Sequence, residues 1–495
     1  MFPTTPPSVQ QTIQRVTNLL NAGQVAAAET ELADLTRLAP NSVDTFRLRG
    51  QLRSMQGRIQ EAERAFHAAF RLAPRDVPLL LAIAQFHYRV GRFQVMMEVL
   101  EEALKIQPGN PSVIGMMARA RRRQGQPKLA LKLLERIPDS PVSAITAAWA
   151  HYDLGEWEQA LKAIHSICEG PDAGAINRYQ AFQIRGLSLE RLGRYDAAMV
   201  SYITAKQAVP LQYDFQQYTQ WVRSAGEVYS EAAWPSMARS SNTSEIPVFI
   251  VALPRSGTTL LEAIISSHPQ AADAGELEVV RRMVGEIMKQ ELADSWPRVA
   301  PTYLTSEVLD RWAARYLEAS TSFGPSALRI VDKNLLNWVY VGLLAQMFPK
   351  ARFIHIDRDP LDVGISCFER LPAVVVPWSA DLIQLGTVIR IYRELMEHWK
   401  RLLPGRIHTV QYEQLVRNQE GEMRKILDFL GLPWDPAVLA HHHSKDRGGS
   451  EGRQAPLPTL GSEQASKPVY DSSIGRGARF GAALDPLRKA IAGEV

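Results

Sequence analysis

Residues 246–267 read IPVFIVALPRSGTTLLEAIISS. The run 246–253 is apolar and strand-sized, and Pro254-Arg-Ser-Gly-Thr-Thr259 follows it as a tight turn. Leu260–Ser267 then has the character of a helix packed on a sheet. A strand, a tight turn and a helix start form a phosphate-binding geometry, because backbone N–H groups and the helix dipole converge on an anion. Gly257 lets the backbone close on the oxygens. Thr258 and Thr259 add hydroxyls in the first helical turn, and Arg255 adds charge. The kinase-type pattern GxxxxGK[ST] is absent in spacing and in its lysine, which argues against ATP hydrolysis. On these residues alone the turn is either an anion cradle or an N-capped helix.

Three further segments follow the same logic. Leu328-Arg-Ile-Val-Asp-Lys-Asn334 is a short apolar strand that ends in charge. Ligands of open α/β sheets sit beyond the carboxyl ends of the strands, so Lys333 is placed for chemistry; the alternative is an ion pair with Asp332. In Ala351–Phe368 (ARFIHIDRDPLDVGISCF), Phe353–Ile356 reads as a buried strand with Arg358 at its end. Pro360 opens the next helix, and Ser366 lies eight residues after Arg358. The planar fork of an arginine holds two phosphate oxygens at once. Arg406–Tyr412 reads as one more strand, and Glu420–Leu430 as a helix leading to the turn Gly431-Leu-Pro-Trp-Asp435.

Together these motifs resemble the sulfotransferases that use 3′-phosphoadenosine 5′-phosphosulfate (PAPS), most of all the tyrosylprotein sulfotransferase branch and its bacterial tetratricopeptide-linked relatives. The resemblance covers about residues 246–482. It implies that Arg255, Ser256, Gly257, Thr258 and Thr259 hold the 5′-phosphosulfate, and that Arg358 and Ser366, with Arg370 assisting, hold the 3′-phosphate. Ala274-Gly-Glu-Leu277 is similar to the segment carrying the family's catalytic carboxylate, which makes Glu276 the general base; a carboxylate in contact range suits an acceptor hydroxyl that must lose its proton. Lys333 matches a lysine that stabilises charge on the transferring group, a role shared with Arg255. Tyr412 either meets the adenosine part or is a core tyrosine. The basic, Gly- and Ser-rich segment Gln464–Arg476 folds over the nucleotide in relatives, which implies contacts from Lys467, Ser473, Gly475 and Arg476. The family's transition-state Ser falls here on Gly461, with Ser462 or Thr459 as the substitutes nearby. Sulfuryl transfer needs no metal, and His441-His-His443 reads as a loop or helix end.

The first half is periodic. Gly23, Gly57, Gly91 and Gly125 recur every 34 residues, and Gly155 and Gly193 follow at 30 and 38. Pro40, Pro74, Pro108 and Pro210 lie 17 residues after four of them. Small residues recur five after (Ala28, Ala62, Ala130, Ala160, Ala198) and seven before (Gly50, Ala84, Ala118, Ala148, Gly186). This is one helix pair per repeat, with Gly at the turn and small residues at the close approach of the two helices. It resembles the tetratricopeptide repeat in about six units, with the 30-residue unit shortened near Ile137-Pro138. Such arrays often bind a peptide or partner protein. The expected architecture is α plus α/β and multidomain: an N-terminal all-α tetratricopeptide solenoid (8–215), a helical bridge and linker (216–245), and a P-loop-like α/β sulfotransferase domain with a parallel sheet (246–495).

Composition narrows the class. The chain has 495 residues, 46% hydrophobic and 22% charged, which excludes a disordered chain. Lys+Arg is 56 against Asp+Glu at 52, too even for a nucleic-acid partner. Arg119–Arg123 (RARRR) is either a patch for an acidic partner or a solvated helix face. Cys168 and Cys367 stand alone, which argues against a disulfide framework or a Cys-based metal site and fits a reducing, cytoplasmic compartment. The start MFPTTPPSVQQTIQRV has neither a basic n-region nor an apolar h-region, and no stretch is long and apolar enough for a membrane span. The expected partners are an acceptor protein or peptide held by the array, or a second copy of the chain. The competing readings are a sulfotransferase for a carbohydrate or small-molecule hydroxyl, an adaptor with a degenerate nucleotide-binding domain, and a small-molecule kinase.

Overall fold

The computed structural model describes residues 8–21, 23–138, 140–170, 174–209, 213–298 apart from 291–296, 300–372, 376–442 and 467–495. Pro210, His443, Thr459, Gly461, Ser462 and Gln464 lie outside the described residues. Contacts divide the chain into two compact units, 1–188 and 189–495.

The first unit is built of helix pairs: Val9–Asn21 with Val25–Leu38, Val43–Met55 with Ile59–Leu72, Val77–Arg89 with Phe93–Ile106, Pro111–Arg123 with Pro127–Leu134, and Pro141–Asp153 with Trp157–Ala163. The helix Ala175–Arg191 opens a sixth pair and carries the unit boundary. Every periodic glycine has a left-handed φ of 70–77°, the conformation that ends one helix and redirects the chain into the next. The small residues do what their spacing implies: Ala28, Ala62, Ala84, Ala118 and Ala130 are fully buried, and a Cβ on Gly50 would lie 2.7 Å from the Phe66 ring. The short unit is short where expected, with 8 residues in its second helix against 14 in the earlier ones.

The second unit holds a five-stranded, all-parallel sheet: β1 (Pro247–Val251), β2 (Ala271–Gly275), β3 (Arg329–Asp332), β4 (Arg352–Asp357) and β5 (Ile407–Gln411), in the order β2-β3-β1-β4-β5. β1 is buried throughout. Val248 and Ile250 join a core with Leu261, Ile264, Ile354 and Ile356. Phe249 points the other way, stacked on Phe353 at 5.4 Å and packed with Tyr316 and Phe348. Burial on both faces is why this strand is continuously apolar rather than alternating.

The observed boundary differs from the expected one at residue 215. The helix Tyr195–Gln207, second in the sixth pair, belongs to the α/β unit. Tyr195 and Tyr202 pack on Phe480, and the Lys206 ammonium donates to the Leu371 carbonyl at 2.5 Å. The expected bridge is the helix Phe215–Val228, followed by Tyr229, whose carbonyl meets His398 Nε2 at 2.8 Å. The polar stretch 235–245 is not a free linker. Ser240 N–H donates to the Gln346 carbonyl, and the Asp310 carboxylate accepts from Ser240 Oγ and Ser241 N–H. Its serines cap local backbone and bind the domain, so they lack an apolar stripe for a different reason. Among the described residues no helix is long and apolar enough to cross a membrane.

Candidate active site

β1 connects to β2 on one side, while the β3–β4 connection crosses β1 to reach the other side. The crevice beyond β1 and β4 is therefore the topological switch point, where open α/β sheets bind ligands. The 254–259 turn leaves β1 at this place, and Arg358 leaves β4. The helix Thr258–Ser266 starts inside the motif, so Thr258 and Thr259 are its first residues and Gly257 is its N-cap at φ 105°. Arg255, at φ 69°, is the one non-glycine with positive φ among the described residues. Strain of ~1–3 kcal/mol at such a residue is retained where the surroundings dictate the conformation.

The turn and the β4 end are joined side chain by side chain. Arg255 Nε donates to Ser366 Oγ at 3.2 Å. Arg358 donates to the carbonyls of Arg255 (2.9 Å) and Ser473 (2.8 Å), and its guanidinium lies 4.4 Å from the centre of the Tyr412 ring. Arg358 Nε is buried and has no partner among the described residues. Burial, then the nearby Arg370 and Arg358 charges, push the Arg255 guanidinium down to about 10. Arg255 and Arg358 thus meet in one buried place, where Asp362 lies 3.8 Å from Arg358, while Arg370 is part-exposed and bonded to Glu369 at 2.6 Å. Ser256 is buried in the turn, and a Cβ on Gly257 would lie 2.5 Å from the Tyr412 ring. Tyr412 sits at the start of the helix Tyr412–Arg417 rather than within a strand, and its hydroxyl meets Ser473 Oγ at 3.1 Å. It is both a core residue and the floor of the turn.

A second cluster stands at the ends of β2 and β3. Lys333 Nζ donates to Glu276 Oε1 at 2.9 Å and lies 3.7 Å from Glu262 Oε2. Lys333 is 2% exposed, whereas the Glu276 side chain is 32% exposed and open to an incoming group. Glu262 is buried; its Oε1 accepts the Gly275 N–H, and burial pushes its carboxyl up to about 8 against the pull of Lys333. Asp332, the alternative partner for Lys333, is instead bonded by Tyr316, Asn337 and the Asn334 N–H.

The C-terminal segment divides. Ser473 reaches the site, but Gly475 and Arg476 serve its anchoring. The Gly475 and Gly477 N–H groups donate to the buried Asp362 carboxylate. Arg476 is gripped by Glu190 and Glu369, so its charge is balanced by two carboxylates and not presented to the turn. Lys467 is exposed, and its carbonyl meets His441 Nε2 at 3.2 Å. Sequence reasoning missed Glu262, Asp362, Glu369 and Glu190. The signal available for Glu262 was a lone carboxylate within LLEAII, on a helix otherwise apolar around it. No cluster of three metal-ligating side chains occurs among the described residues.

These features define a parallel α/β domain with an anion-binding turn at its switch point. Residues 247–436 match the model of the sulfotransferase family, and residues 47–111 match a tetratricopeptide repeat model. The chain is 29% identical over 345 residues to an uncharacterised protein of Aquifex aeolicus (strain VF5), covering 68% of this chain and 44% of that one. It is 30% identical over 241 residues to the protein-tyrosine sulfotransferase of Drosophila melanogaster, covering 46% of each. The chain spans about half the length of these curated relatives. Among solved structures, the sulfotransferase domain of the Synechococcus PCC 7002 olefin synthase overlaps 52% of this chain and 98% of that domain, at 19% identity and a TM-score of 0.36. The chain thus carries a tetratricopeptide-type helical region followed by a parallel-sheet domain that matches the sulfotransferase family model over residues 247–436.

Proposed function

We propose that the protein transfers a sulfuryl group from PAPS to an acceptor hydroxyl, and that the acceptor is a tyrosine of a protein or peptide. The observation that carries the reading is the convergence of Arg255, Ser366 and Arg358 at the switch point. The residues suit the donor: an Arg358 nitrogen buried without a partner among the described residues, a glycine with no room for a Cβ, and an Arg255 guanidinium that burial pushes down to about 10. The 254–259 turn would hold the 5′-phosphosulfate, and Arg358 with Ser366 the 3′-phosphate. The donor supplies an activated sulfuryl group on a phosphate leaving group.

Glu276 takes the acceptor proton as the acceptor oxygen bonds to sulfur and the sulfur–oxygen bond to the phosphate breaks. Lys333 and Arg255 balance the charge left on that phosphate, since fixed charges aimed at a developing anion act without reorganisation. The exposure of Glu276 above the buried Lys333 supports this division of roles. Relatives named as protein-tyrosine sulfotransferases support the tyrosine acceptor. The buried free thiols Cys168 and Cys367 support a reducing, cytoplasmic setting.

Incubation with ³⁵S-labelled PAPS and tyrosine peptides tests the reading. Label on tyrosine that disappears in a Tyr→Phe peptide is the expected result. Label on no hydroxyl acceptor of any class overturns it. Glu276→Ala should retain affinity for adenosine 3′,5′-bisphosphate and lose turnover about 10²–10⁴-fold.

A further inference from the structure

One buried ionisable group of the second cluster has no part in the transfer as derived above. Glu262 follows Thr258 by four residues on the helix Thr258–Ser266, so the two side chains share a face one turn apart. Thr258 belongs to the donor turn, while Glu262, 5% exposed, meets the ends of β2 and β3. Its two oxygens are used separately. Oε1 accepts the N–H of Gly275, the last residue of β2 and the one before Glu276, at 3.1 Å. Oε2 lies 3.7 Å from Lys333 Nζ. The Lys333 N–H in turn donates to the Gly275 carbonyl at 2.9 Å. Gly275 is therefore held at both of its backbone groups, which fixes the point from which Glu276 leaves the strand.

Lys333 Nζ is the shared element. It bonds Glu276 at 2.9 Å and faces Glu262 at 3.7 Å, so one buried ammonium serves two carboxylates. We propose that Glu262 is a positioning residue for the transfer: it fixes the β2 end that carries Glu276 and shares Lys333 with it, and so sets how firmly the ammonium holds the base. The inference rests on the role proposed for Glu276 and extends it.

The step that Glu262 governs is the movement of the acceptor's proton to Glu276. While Glu262 carries its own proton, the Lys333 charge is answered by Glu276 alone. When Glu262 releases that proton to solvent, two carboxylates divide the charge and repel each other. Glu276 then takes up the acceptor's proton more readily, since uptake removes one of two neighbouring like charges. Glu262 titrates where an enzyme can work: burial raises its carboxyl to about 8, with Asp273, Glu276 and Asp332 adding to the rise and Lys333 opposing it. Asp273 and Glu276 come from β2 and its end, Asp332 and Lys333 from β3 and its end. β1 and the short helix Pro436–Leu439, which also pack on the helix Thr258–Ser266, bring no titratable side chain.

Two measurements on the full chain test this. The first is carbon NMR of protein labelled with ¹³Cδ-glutamate, without donor or acceptor. The Glu276 carboxyl signal, assigned by its loss in Glu276→Gln, should shift as pH passes through about 8, and the shift should vanish in Glu262→Gln. The second is the pH profile of transfer from PAPS to an acceptor peptide. Across that pH range kcat of the native chain should rise about three- to tenfold relative to Glu262→Gln, with KM for PAPS nearly constant. At pH 7 Glu262→Ala, which also loses the Gly275 bond, should lower kcat about ten- to hundredfold. Glu262→Gln, whose amide oxygen accepts from Gly275, should recover most of that loss; if Glu262→Ala fails to fold, as circular dichroism reads, the Gln comparison carries the test. A Glu276 signal that does not respond near pH 8, one that responds equally in Glu262→Gln, or parallel kcat profiles in the two chains overturns the inference. A coupled titration in a chain that sulfates no acceptor supports the shared ammonium and refutes the proposed function alone.

Discussion

Replacing Gly257 by Ala puts a single methyl where the site is most tightly built. The backbone there has φ 105°, which side-chain-bearing residues rarely adopt, and the new Cβ would meet Tyr412 Cδ2 at 2.5 Å and Cε2 at 2.7 Å. The unfavourable backbone conformation costs ~1–2 kcal/mol. Overpacking costs ~1–3 kcal/mol more, so the α/β unit should lose about 2–5 kcal/mol in all. If Tyr412 moves to relieve the clash, its hydroxyl leaves Ser473 Oγ and its ring leaves Arg358. Nucleotide affinity then falls with stability. The assay is urea unfolding followed by the fluorescence of the α/β unit, with calorimetric binding of adenosine 3′,5′-bisphosphate, in a double-mutant cycle with Tyr412→Ala. The account expects a coupling of about 1–3 kcal/mol, because Tyr412→Ala removes the clash but not the backbone strain. If Gly257→Ala costs the same with and without Tyr412, the close approach does not govern the site and the reasoning fails.

Other perturbations separate the two clusters. Lys333→Ala leaves the buried Glu262 without its cation. Glu262 then holds its proton to a higher pH, so Lys333→Ala should extend upward the pH range over which stability falls, and Glu262→Gln should remove that extension, in thermal unfolding followed across pH. Glu262 also sets a pH dependence. Its folded carboxyl is raised from 4.5 to about 8, so the folded state holds a proton that the unfolded chain releases. Stability should therefore fall as pH rises from 4.5 to 8, and Glu262→Gln should flatten that slope in denaturant titrations. Arg476→Ala removes the cation on Glu190, leaves Glu369 only its pair with Arg370, and loosens the segment that carries Ser473. Proteolysis near residues 467–477 should accelerate and nucleotide affinity should drop; unchanged cleavage would show that the anchor is dispensable.

Much of this architecture is readable in the residues because one strong periodicity and a few short apolar runs carry it. The repeat glycines are legible since each needs a left-handed φ, which few other residues supply. β1 and β4 are legible as short apolar runs ending in charge. β2 is not: Ala-Ala-Asp-Ala-Gly has weak strand preference and is held by pairing with β3. The unit boundary is also hidden, because Tyr195, Tyr202 and Lys206 keep the repeat pattern while facing Phe480 and Leu371. Within the site, Arg255, Lys333 and Arg358 stand at the ends of readable strands, whereas Glu276 and Ser366 enter only through the resemblance to the family. Glu262, Asp362 and the carboxylates around Arg476 are not legible, since they act through contacts distant in sequence; Glu190 lies 286 residues from Arg476. The partners of Arg476 stay hidden for that reason: a basic residue in a glycine-rich segment reads as a ligand contact, and the structure pairs it with Glu190 and Glu369.

The central claim is that one nucleotide is gripped at both phosphorylated ends by the 254–259 turn and the β4 end. Calorimetry comparing adenosine 3′,5′-bisphosphate with adenosine 5′-phosphate, on the native chain and on Arg358→Ala, tests it directly. The account predicts that the bisphosphate binds more tightly than the monophosphate and that Arg358→Ala abolishes the difference. Equal affinity for the two nucleotides, or a preference that survives in Arg358→Ala, would contradict it.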